Sequence, residues 1–292
     1  MKKGLLIVNE FIKKKKERFI ALYEELESAF SNNNIKLDVM TNCEALIIIN
    51  DKEKPDYDFV LFWDKDVNLA YHLENLGYKV FNSARAIELC DDKAKTALAL
   101  EKSDLLLPKT IIAPFTFTNN PFIESDLSFL DNVIDELSLP LILKESFGSF
   151  GEQVYLIHNK EELINKVLEI SPKPMLFQEF VASSIGMDIR IEVVGDKALG
   201  AVKRESLNND FRSNVLQGGK MSKVEVNDDF YNAAVKACQI IGLDFAGVDI
   251  LIGKNGEPIF CEINSNVHFK TFYKTTGINL ASEIVKYIVN KI

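Results

Sequence analysis

Oxygen-bearing side chains end two short apolar segments near the C-terminus of the chain. Asp249 lies within the apolar run 246–252, and Glu262 and Asn264 close the run 259–264. The turn between the runs contains Gly and Pro and predicts a hairpin of adjacent strands, with Glu262 and Asn264 on one face. Converging carboxylate and amide oxygens suit Mg²⁺, which shares its coordination shell with substrate phosphates. One carboxylate alone would be an ordinary charged strand end, but three such groups between apolar strands favour a metal site.

A glycine-rich loop, 146–151, lies between two predicted strands. Gly148 and Gly151 allow close approach of the backbone, and the successive amide groups around Ser149 can cradle phosphate oxygens. Lys144 ends the apolar strand before the loop, where a lysine requires an anionic partner that a nucleotide phosphate would supply. A hairpin with glycine in its turn is the alternative for the loop alone, and Lys144 shifts the balance toward nucleotide binding.

These motifs, in this order, are similar to those of a known enzyme family. Asp249 followed by 262–264 resembles the metal-binding end of the ATP-grasp superfamily, whose members use ATP to join a carboxylate to an amine. The runs 210–214 (Asp-Phe-Arg-Ser-Asn) and 217–219 (Gln-Gly-Gly) resemble the glutamate ligases related to RimK. The resemblance covers residues 90–292 well and the first part of the chain only loosely.

The resemblance implies a nucleotide site built from two lysines, the glycine-rich loop and a strand-to-linker segment. Lys93 follows Asp92 at a predicted helix start, which favours anions, although on sequence alone it could equally be a solvated surface residue. The backbone of 178–181 is implied to hold the adenine, and Asp188 to bind ribose hydroxyl groups. The residues implied to bind the nucleotide are Lys93, Lys144, Gly148, Ser149, Gly151, Gln178, Glu179, Phe180, Val181, Asp188, Lys203 and Ser213.

Phosphoryl transfer requires cations, because charge spreads over the oxygens of the transferred group. Arg190, Lys203, Arg204 and Arg212 are expected to supply them. Arg212 is assigned to the carbonyl–phosphate centre, because a guanidinium group can bind it bidentately. Asn214 resembles a family residue that helps to hold phosphate and metal. The predicted catalytic residues are therefore Arg212, Arg190 and Asn214, in a reaction that forms an acyl phosphate for the amine to attack.

One of these expected cations, Arg190, lies on the predicted strand 188–194. Alternation places Asp188, Arg190 and Glu192 on one face and the apolar residues between them on the other. A polar face over a cleft and a surface ladder of salt bridges both fit that pattern.

The segment after Asn264 departs from the pattern of the ligases that act on a ribosomal protein. Those relatives usually have Ala-Ser-Pro-Gly there, whereas residues 265–270 of this chain are Ser-Asn-Val-His-Phe-Lys. This version resembles relatives that act on small molecules, so the acceptor is left open among small-molecule, peptide and protein carboxylates. Arg204, His268 and Lys270 are predicted to bind substrate; the last two are otherwise surface residues at a helix start. The family favours L-glutamate as the added amino acid, and the surplus of basic residues is consistent with an acidic substrate.

The predicted fold is α/β (α+β), with an ATP-grasp architecture implied by the resemblance. Strands alternate with helices up to about residue 90, which indicates a small parallel sheet covered by helices. We expect an N-terminal αβ domain of 1–90, a central lid domain of 91–174 and a C-terminal sheet domain of 175–292, with nucleotide between the last two. The implied cofactors are ATP and Mg²⁺, with two metal ions expected and Mn²⁺ as the alternative metal. The strands expected in the first domain are 5–9, 35–40, 46–50, 59–63 and 78–81.

Composition limits the other function classes. The chain has 292 residues, 47% hydrophobic and 26% charged, and its net charge of -9 argues against general nucleic-acid binding. The basic run 13–16 is expected to be a solvated helix face, with steering of an anionic partner as the alternative. No apolar stretch approaches the ~18 residues of a membrane span.

The four scattered cysteines indicate reduced, buried thiols in a cytoplasmic protein. A homo-oligomer is left open. An ATP-grasp kinase and a non-catalytic ATP-binding module are the alternatives to a ligase. The presence of the predicted metal ligands, both lysines and Arg212 argues against a non-catalytic module.

Overall fold

Three β-sheets organise the chain. The computed structural model describes residues 2–13, 17–50, 54–116, 120–149, 151–208, 210–213 and 219–292. The strands are β1 (Lys2–Val8), β2 (Ile35–Thr41), β3 (Phe59–Trp63), β4 (Val80–Phe81), β5 (Thr110–Ile112), β6 (Leu141–Glu145), β7 (Val154–Ile157), β8 (Met175–Glu179), β9 (Met187–Val194), β10 (Lys197–Glu205), β11 (Lys220–Lys223), β12 (Phe245–Ile252) and β13 (Pro258–Asn264). The helices are α1 (Glu10–Lys13), α2 (Glu17–Ser31), α3 (Val67–Asn75), α4 (Ala84–Asp91), α5 (Lys93–Leu100), α6 (Phe129–Leu137), α7 (Lys160–Ile170), α8 (Asp228–Ile241), α9 (Phe269–Thr276) and α10 (Leu280–Val289).

The first sheet is parallel, with the strand order β2-β1-β3-β4. Its strands are apolar along most of their length because helices cover both faces, and β3 is buried at every position. Residues 46–50, which the pattern predicts as a strand, form none. They follow β2 as an irregular segment that ends in a turn, and the side chains of Leu46 and Ile49 are exposed.

The second and third sheets are antiparallel. Their orders are β5-β8-β6-β7 and β11-β10-β9-β12-β13. Because β8 pairs with β5 and β6, residues 175–179, expected in the C-terminal domain, lie in the second sheet. One face of the third sheet packs on α8 through Ile189, Ile191 and Val248. The opposite face of that sheet carries Asp188 and its polar neighbours.

The first sheet is fixed against the third by a shared core. The ring of Trp63 stacks on that of Phe245 at a centroid distance of 5.3 Å. Asn82, fully buried after β4, accepts hydrogen bonds from the backbone N–H groups of Asp244 (2.7 Å) and Phe245 (3.2 Å). Its amide donates to the carbonyl of Phe245 at 3.0 Å. The end of the first sheet is therefore held at the start of β12.

The cysteines are free, but their burial differs from the expectation. Cys90 and Cys238 are buried and Cys261 is partly buried, whereas Cys43 is exposed after β2. None of the described helices combines the length and the apolar character that crossing a membrane would require.

Candidate functional site

The three sheets enclose a cleft of about 460 Å³, which is within the range of ligand sites. Lys144 and Glu262, which the predicted nucleotide site requires on the same side of the molecule, both line it. Most of the predicted site residues do the same. Those that line the cleft are Lys93, Lys144, Gly148, Ser149, Gly151, Gln178, Glu179, Phe180, Val181, Asp188, Arg190, Arg204, Arg212, Ser213, Asp249, Glu262, Asn264 and His268.

The hairpin of β12 and β13 has the predicted form. Asp249 pairs directly with Glu262, and Gly247 pairs with Asn264. Register then shifts by a bulge after Asp249. The carboxylates and the amide therefore occupy neighbouring positions on the cleft face of paired strands.

Two arginines from β9 and β10 hold the Asp249 carboxylate. Arg190 donates to both oxygens, with Nη2 2.8 Å from Oδ2, and Arg204 Nη2 lies 2.9 Å from Oδ2. Arg204 also donates through Nε to Asp188 Oδ1 at 2.7 Å, and Ser213 donates its hydroxyl to Asp188. Asp249 is only 5% exposed. Burial opposes its ionisation, but the two guanidinium groups outweigh it and lower the pKa of Asp249.

Glu192 extends this network into the protein. It is 2% exposed, and its Oε1 lies 3.9 Å from Arg190 Nη1, beyond hydrogen-bond distance. Its Oε2 has no hydrogen-bond partner among the described residues. Burial is the main cause that raises the pKa of Glu192 to about 7, against the charge of Arg190. The polar face of β9 thus lies at the cleft, which Asp188 and Arg190 line while Glu192 is buried, and the alternative of a surface ladder of salt bridges was wrong.

The glycine-rich loop is contacted by side chains from each of the three predicted domains. Lys93 Nζ donates to the carbonyl of Gly148 at 3.3 Å and lies 3.8 Å from Glu262 Oε1. Arg212 Nη1 donates to the carbonyl of Gly151 at 2.8 Å. From the first sheet, Lys65 Nζ reaches the hydroxyl of Ser149 at 3.3 Å. These cations therefore surround the loop that is predicted to cradle phosphate.

Arg212 is further held by an aspartate of its own loop. Asp210 accepts from Arg212 Nε at 3.0 Å and from Nη2 at 2.8 Å. This hydrogen-bonded pairing raises the pKa of Arg212 and lowers that of Asp210. The guanidinium group is therefore fixed near the loop and stays charged.

The segment predicted to hold adenine borders the cleft at the end of β8. Gln178 is buried and donates its amide to Thr110 Oγ1 at 2.9 Å. Glu179 is exposed and accepts from the backbone N–H of Lys109 at 2.9 Å. Both side chains are engaged with β5, which leaves the backbone of the following residues, Phe180 and Val181, beside the cleft.

Two of the predicted cations are not brought to the cleft. Lys203 pairs across the sheet with Ile189, on the α8 face, and its Nζ lies 2.7 Å from Glu205. Strand alternation sends Lys203 and Arg204 to opposite faces, so the expectation that both surround one phosphoryl group was wrong. Lys270 is exposed in α9 and is not among the cleft-lining residues. Asn214 lies outside the described residues.

The cleft also contains residues that sequence reasoning missed. They come from the first sheet, the segments after its strands and helix α2: Asn9, Tyr23, Trp63, Asp64 and Lys65. An available signal was that polar residues follow two neighbouring parallel strands, since ligands bind at the carboxyl ends of such strands.

Comparison with known protein families gives a match over the part of the chain that contains these motifs. Residues 90–288, more than half of the chain, match the family described as the RimK-like ATP-grasp domain. The chain belongs to this family. The match begins at α4 and takes in the second and third sheets, and so includes every predicted ligand of the nucleotide and metal.

Similar proteins extend the likeness beyond that domain. The chain is 31% identical over 270 residues to the uncharacterized protein MG012 of Mycoplasma genitalium, covering 90% of this chain and 92% of that protein. It is 34% identical over 223 residues to a "Probable alpha-L-glutamate ligase" of Legionella pneumophila, covering 75% and 70%. A RimK domain ATP-grasp protein of Sphaerobacter thermophilus has a similar structure, with a TM-score of 0.74, 17% identity and 98% coverage of each chain. The fold is thus an ATP-grasp fold, and the family supports an ATP-dependent ligase that uses ATP and Mg²⁺.

The donor set of the hairpin is chemically suited to a magnesium ion. Asp249, Glu262 and Asn264 offer two carboxylates and an amide on neighbouring positions, and all three line the cleft. The described residues include no group of three or more His, Cys, Asp or Glu side chains that could hold a metal. An ion here would therefore depend on the Asn264 amide and on substrate phosphates to complete its shell. Asp249 would share its oxygens with Arg190 and Arg204.

Proposed function

We propose that the chain is an ATP-dependent ligase that joins the carboxylate of an acceptor to the amine of an amino acid, L-glutamate. The observation that carries the proposal is that cationic side chains and oxygen donors line one cleft. Transfer of a phosphoryl group needs both, because its charge must be neutralised from several sides. The cations are Lys93, Lys144, Arg190, Arg204 and Arg212, and the oxygen donors are Asp249, Glu262 and Asn264.

The roles of these residues follow from where they lie. Lys144, buried at the end of β6, and the backbone of the glycine-rich loop would hold the ATP phosphates. Asp249, Glu262 and Asn264 would hold Mg²⁺, which supplies charge neutralisation to the phosphate oxygens when bound. Arg212, held beside the loop, would bind the carbonyl–phosphate centre. The protein then contributes position and charge, and no side-chain nucleophile is needed.

The proposed reaction has two steps. An acceptor carboxylate oxygen attacks the γ-phosphorus of ATP, and the bond from that phosphorus to its bridging oxygen breaks to release ADP. The neutral amine then attacks the carbonyl carbon of the acyl phosphate and loses a proton as the amide bond forms. The bond between the carbonyl carbon and the phosphate oxygen breaks, and inorganic phosphate leaves with the electron pair.

The choice of glutamate is supported by the relatives more than by the cleft. The similar protein of Legionella pneumophila bears the name of an alpha-L-glutamate ligase. The surplus of basic residues is a weaker support than expected, because Lys203 and Lys270 do not line the cleft. Arg190 and Arg204 are already paired with Asp249 and Asp188.

A phosphate-release assay tests the proposed function. The purified chain would be incubated with MgATP, a panel of amino acids and a panel of carboxylate acceptors, and products would be identified by mass. We expect phosphate release that requires both an amino acid and an acceptor, greatest with L-glutamate, and an amide product. A stable phosphorylated product without phosphate release would indicate a kinase instead. A preference for neutral amino acids would overturn the glutamate assignment and leave the ligase assignment in place.

A further inference from the structure

The first sheet forms one end of the cleft with side chains that carry no role in the proposed phosphoryl transfer. Asn9 follows β1 and Asp64 follows β3, so both lie at the carboxyl ends of neighbouring parallel strands. Both line the cleft, together with Tyr23 and Trp63. Such strand ends are where ligands bind in α/β sheets. We therefore assign the end of the cleft formed by the first sheet to the substrates rather than to the nucleotide.

Asp64 is a buried carboxylate, and only one of its two oxygens accepts hydrogen bonds from the described residues. It is 3% exposed, and its Oδ1 accepts from Asn9 Nδ2 at 2.9 Å and from the backbone N–H of Lys65 at 2.7 Å. Its Oδ2 has no hydrogen-bond partner among the described residues. Buried oxygens without a donor are rare and costly, so a donor from a bound ligand would relieve an existing penalty.

The walls around Asp64 are aromatic. Tyr23 is buried and lines the cleft with Asp64, and burial together with the charge of Asp64 raises the pKa of Tyr23 to about 12. The rings of Phe19 and His268 meet edge to face at a centroid distance of 4.7 Å, and both line the cleft. Aromatic faces beside a carboxylate favour a cation over an anion.

Within the described part of the chain, no charged side-chain nitrogen of Lys, Arg or His lies within 4.0 Å of the Asp64 carboxylate. The nearest lysine in sequence, Lys65, turns its ammonium to Asp91 and to the hydroxyl of Ser149. The other lysines and arginines of the cleft surround the glycine-rich loop and the β12–β13 hairpin. Burial raises the pKa of Asp64, and none of the described cations offsets this, so a cationic ligand bound here would stabilise the ionised carboxylate.

We propose that this end of the cleft, which Tyr23 and Trp63 also line, binds a primary ammonium group of a substrate, with Asp64 Oδ2 accepting its hydrogen bond. The ammonium site rests on the proposed function in one respect, since the ammonium group is taken to belong to a substrate that binds in the same cleft. The ammonium group has two sources in such a reaction. It belongs either to the incoming amino acid before its amine loses a proton, or to an acceptor that carries its own amine.

A binding comparison tests the ammonium site without turnover. Benzylamine and benzyl alcohol share an apolar ring and differ in charge, and Trp63 is the only tryptophan of the chain, so its fluorescence reports on this site. With the full chain and MgADP present, we expect benzylamine to bind about tenfold or more tightly than benzyl alcohol. Asp64→Asn, which keeps the acceptor oxygen for Asn9, should abolish that preference. Equal binding of the two compounds to the unaltered chain overturns the proposal whether or not the variant folds.

The matched control is Asp66→Asn, which removes the same charge two residues away. Asp66 caps α3 by accepting from the backbone N–H of Leu69 at 3.1 Å, and Asn caps helices equally well. Its side chain is not among those lining the cleft. The control should therefore keep the full preference for benzylamine. An Asp64→Asn protein that keeps the preference as well would contradict the proposal.

Steady-state kinetics then separate the two sources. If the ammonium group belongs to the amino acid, Asp64→Asn raises the KM for the amino acid about tenfold and leaves the KM for ATP unchanged. If it belongs to the acceptor, the KM for the acceptor rises instead. Unchanged KM values for both contradict the proposal. Absence of amine-dependent phosphate release from the unaltered chain would contradict the ligase function and leave the binding comparison standing.

Discussion

At the level of single residues, Asp249 shares its carboxylate between the guanidinium groups of Arg190 and Arg204. All three side chains are mostly withdrawn from water, as is Asp188, the other partner of Arg204. Removal of one partner from a buried ion network leaves an unpaired charge, which destabilises more than loss of the contact itself. Substitutions that keep size and hydrogen bonding are therefore needed to separate the chemistry of these residues from folding.

Lys144 and Lys203 give a direct test of which lysines bind the nucleotide. Lys144 is buried and lines the cleft, whereas Lys203 lies on the opposite face of the third sheet. We expect Lys144→Met to weaken MgATP binding about tenfold or more, because a charge-assisted contact to phosphate is lost. Lys203→Met is the matched control and should bind as the unaltered chain does. Isothermal titration measures both, and equal losses in the two variants would contradict the assignment.

Glu192 is expected to make stability depend on pH. Its pKa is raised from an ordinary 4.5 to about 7, mainly by burial. Between these values the unfolded chain binds fewer protons at this group, so stability should fall as pH rises, by on the order of 3 kcal/mol. Glu192→Gln should remove this contribution to the pH dependence. Between about pH 5 and about pH 8, the free energy of unfolding of the variant should therefore fall less than that of the unaltered chain.

Denaturant unfolding at the two pH values measures this prediction. Glu101→Gln, at an exposed carboxylate, is the control and should follow the unaltered chain. A Glu192→Gln protein with the same pH dependence as the control would show that Glu192 does not titrate in this range.

At the level of strands, the site depends on the cleft face formed by β9, β12 and β13. Gly247 lies between Glu192 of β9 and Asn264 of β13, and its lack of a side chain makes room for both. A Cβ at this position would meet Arg190 Nη1 and Val267 Cγ1, each at 2.8 Å. Local packing over the face therefore fixes where Arg190 can lie.

Gly247→Ala is expected to disturb this face. Overpacking should cost about 1–3 kcal/mol and displace Arg190, so that turnover falls together with stability. Val248→Ala, whose side chain lies in the α8-facing core, is the comparison. It should lose a similar stability through a cavity and keep its turnover at temperatures where it is folded. Denaturation and phosphate release measure both properties, and parallel loss of turnover in the two variants would contradict the role of the face.

Much of the strand structure could be predicted from the sequence, but its pairing could not. The hairpin of β12 and β13 followed from two apolar runs, a tight turn and strand alternation, all of which are local. Membership of β8 in the second sheet depends on which distant strands it pairs with, and no local pattern records that. Residues 46–50 have the composition of a strand but no partner. The error over Lys203 was avoidable, because adjacent residues of a strand cannot face the same side.

For the whole molecule, the cleft lies where three sheets meet. The first sheet is held against the third by Asn82 and by the stacking of Trp63 on Phe245. The groups proposed to bind phosphate lie between the second and third sheets, while Asp64 brings a carboxylate from the first. The motifs on the later part of the chain predicted which of its residues line the cleft, and their role in nucleotide binding stays a prediction. The end of the cleft formed by the first sheet was not predicted, because it forms only when distant segments pack together.

Transfer of oxygen from the acceptor to phosphate is the most direct test of the proposed ligase chemistry. An acceptor found in the panel assay would be labelled with oxygen-18 in its carboxylate and incubated with MgATP and L-glutamate. Because the carboxylate oxygen that attacks the γ-phosphorus leaves with it, we expect labelled inorganic phosphate in equal amount to the amide product. Unlabelled phosphate, or a phosphorylated product that accumulates whether or not the amine is present, would contradict the proposed function.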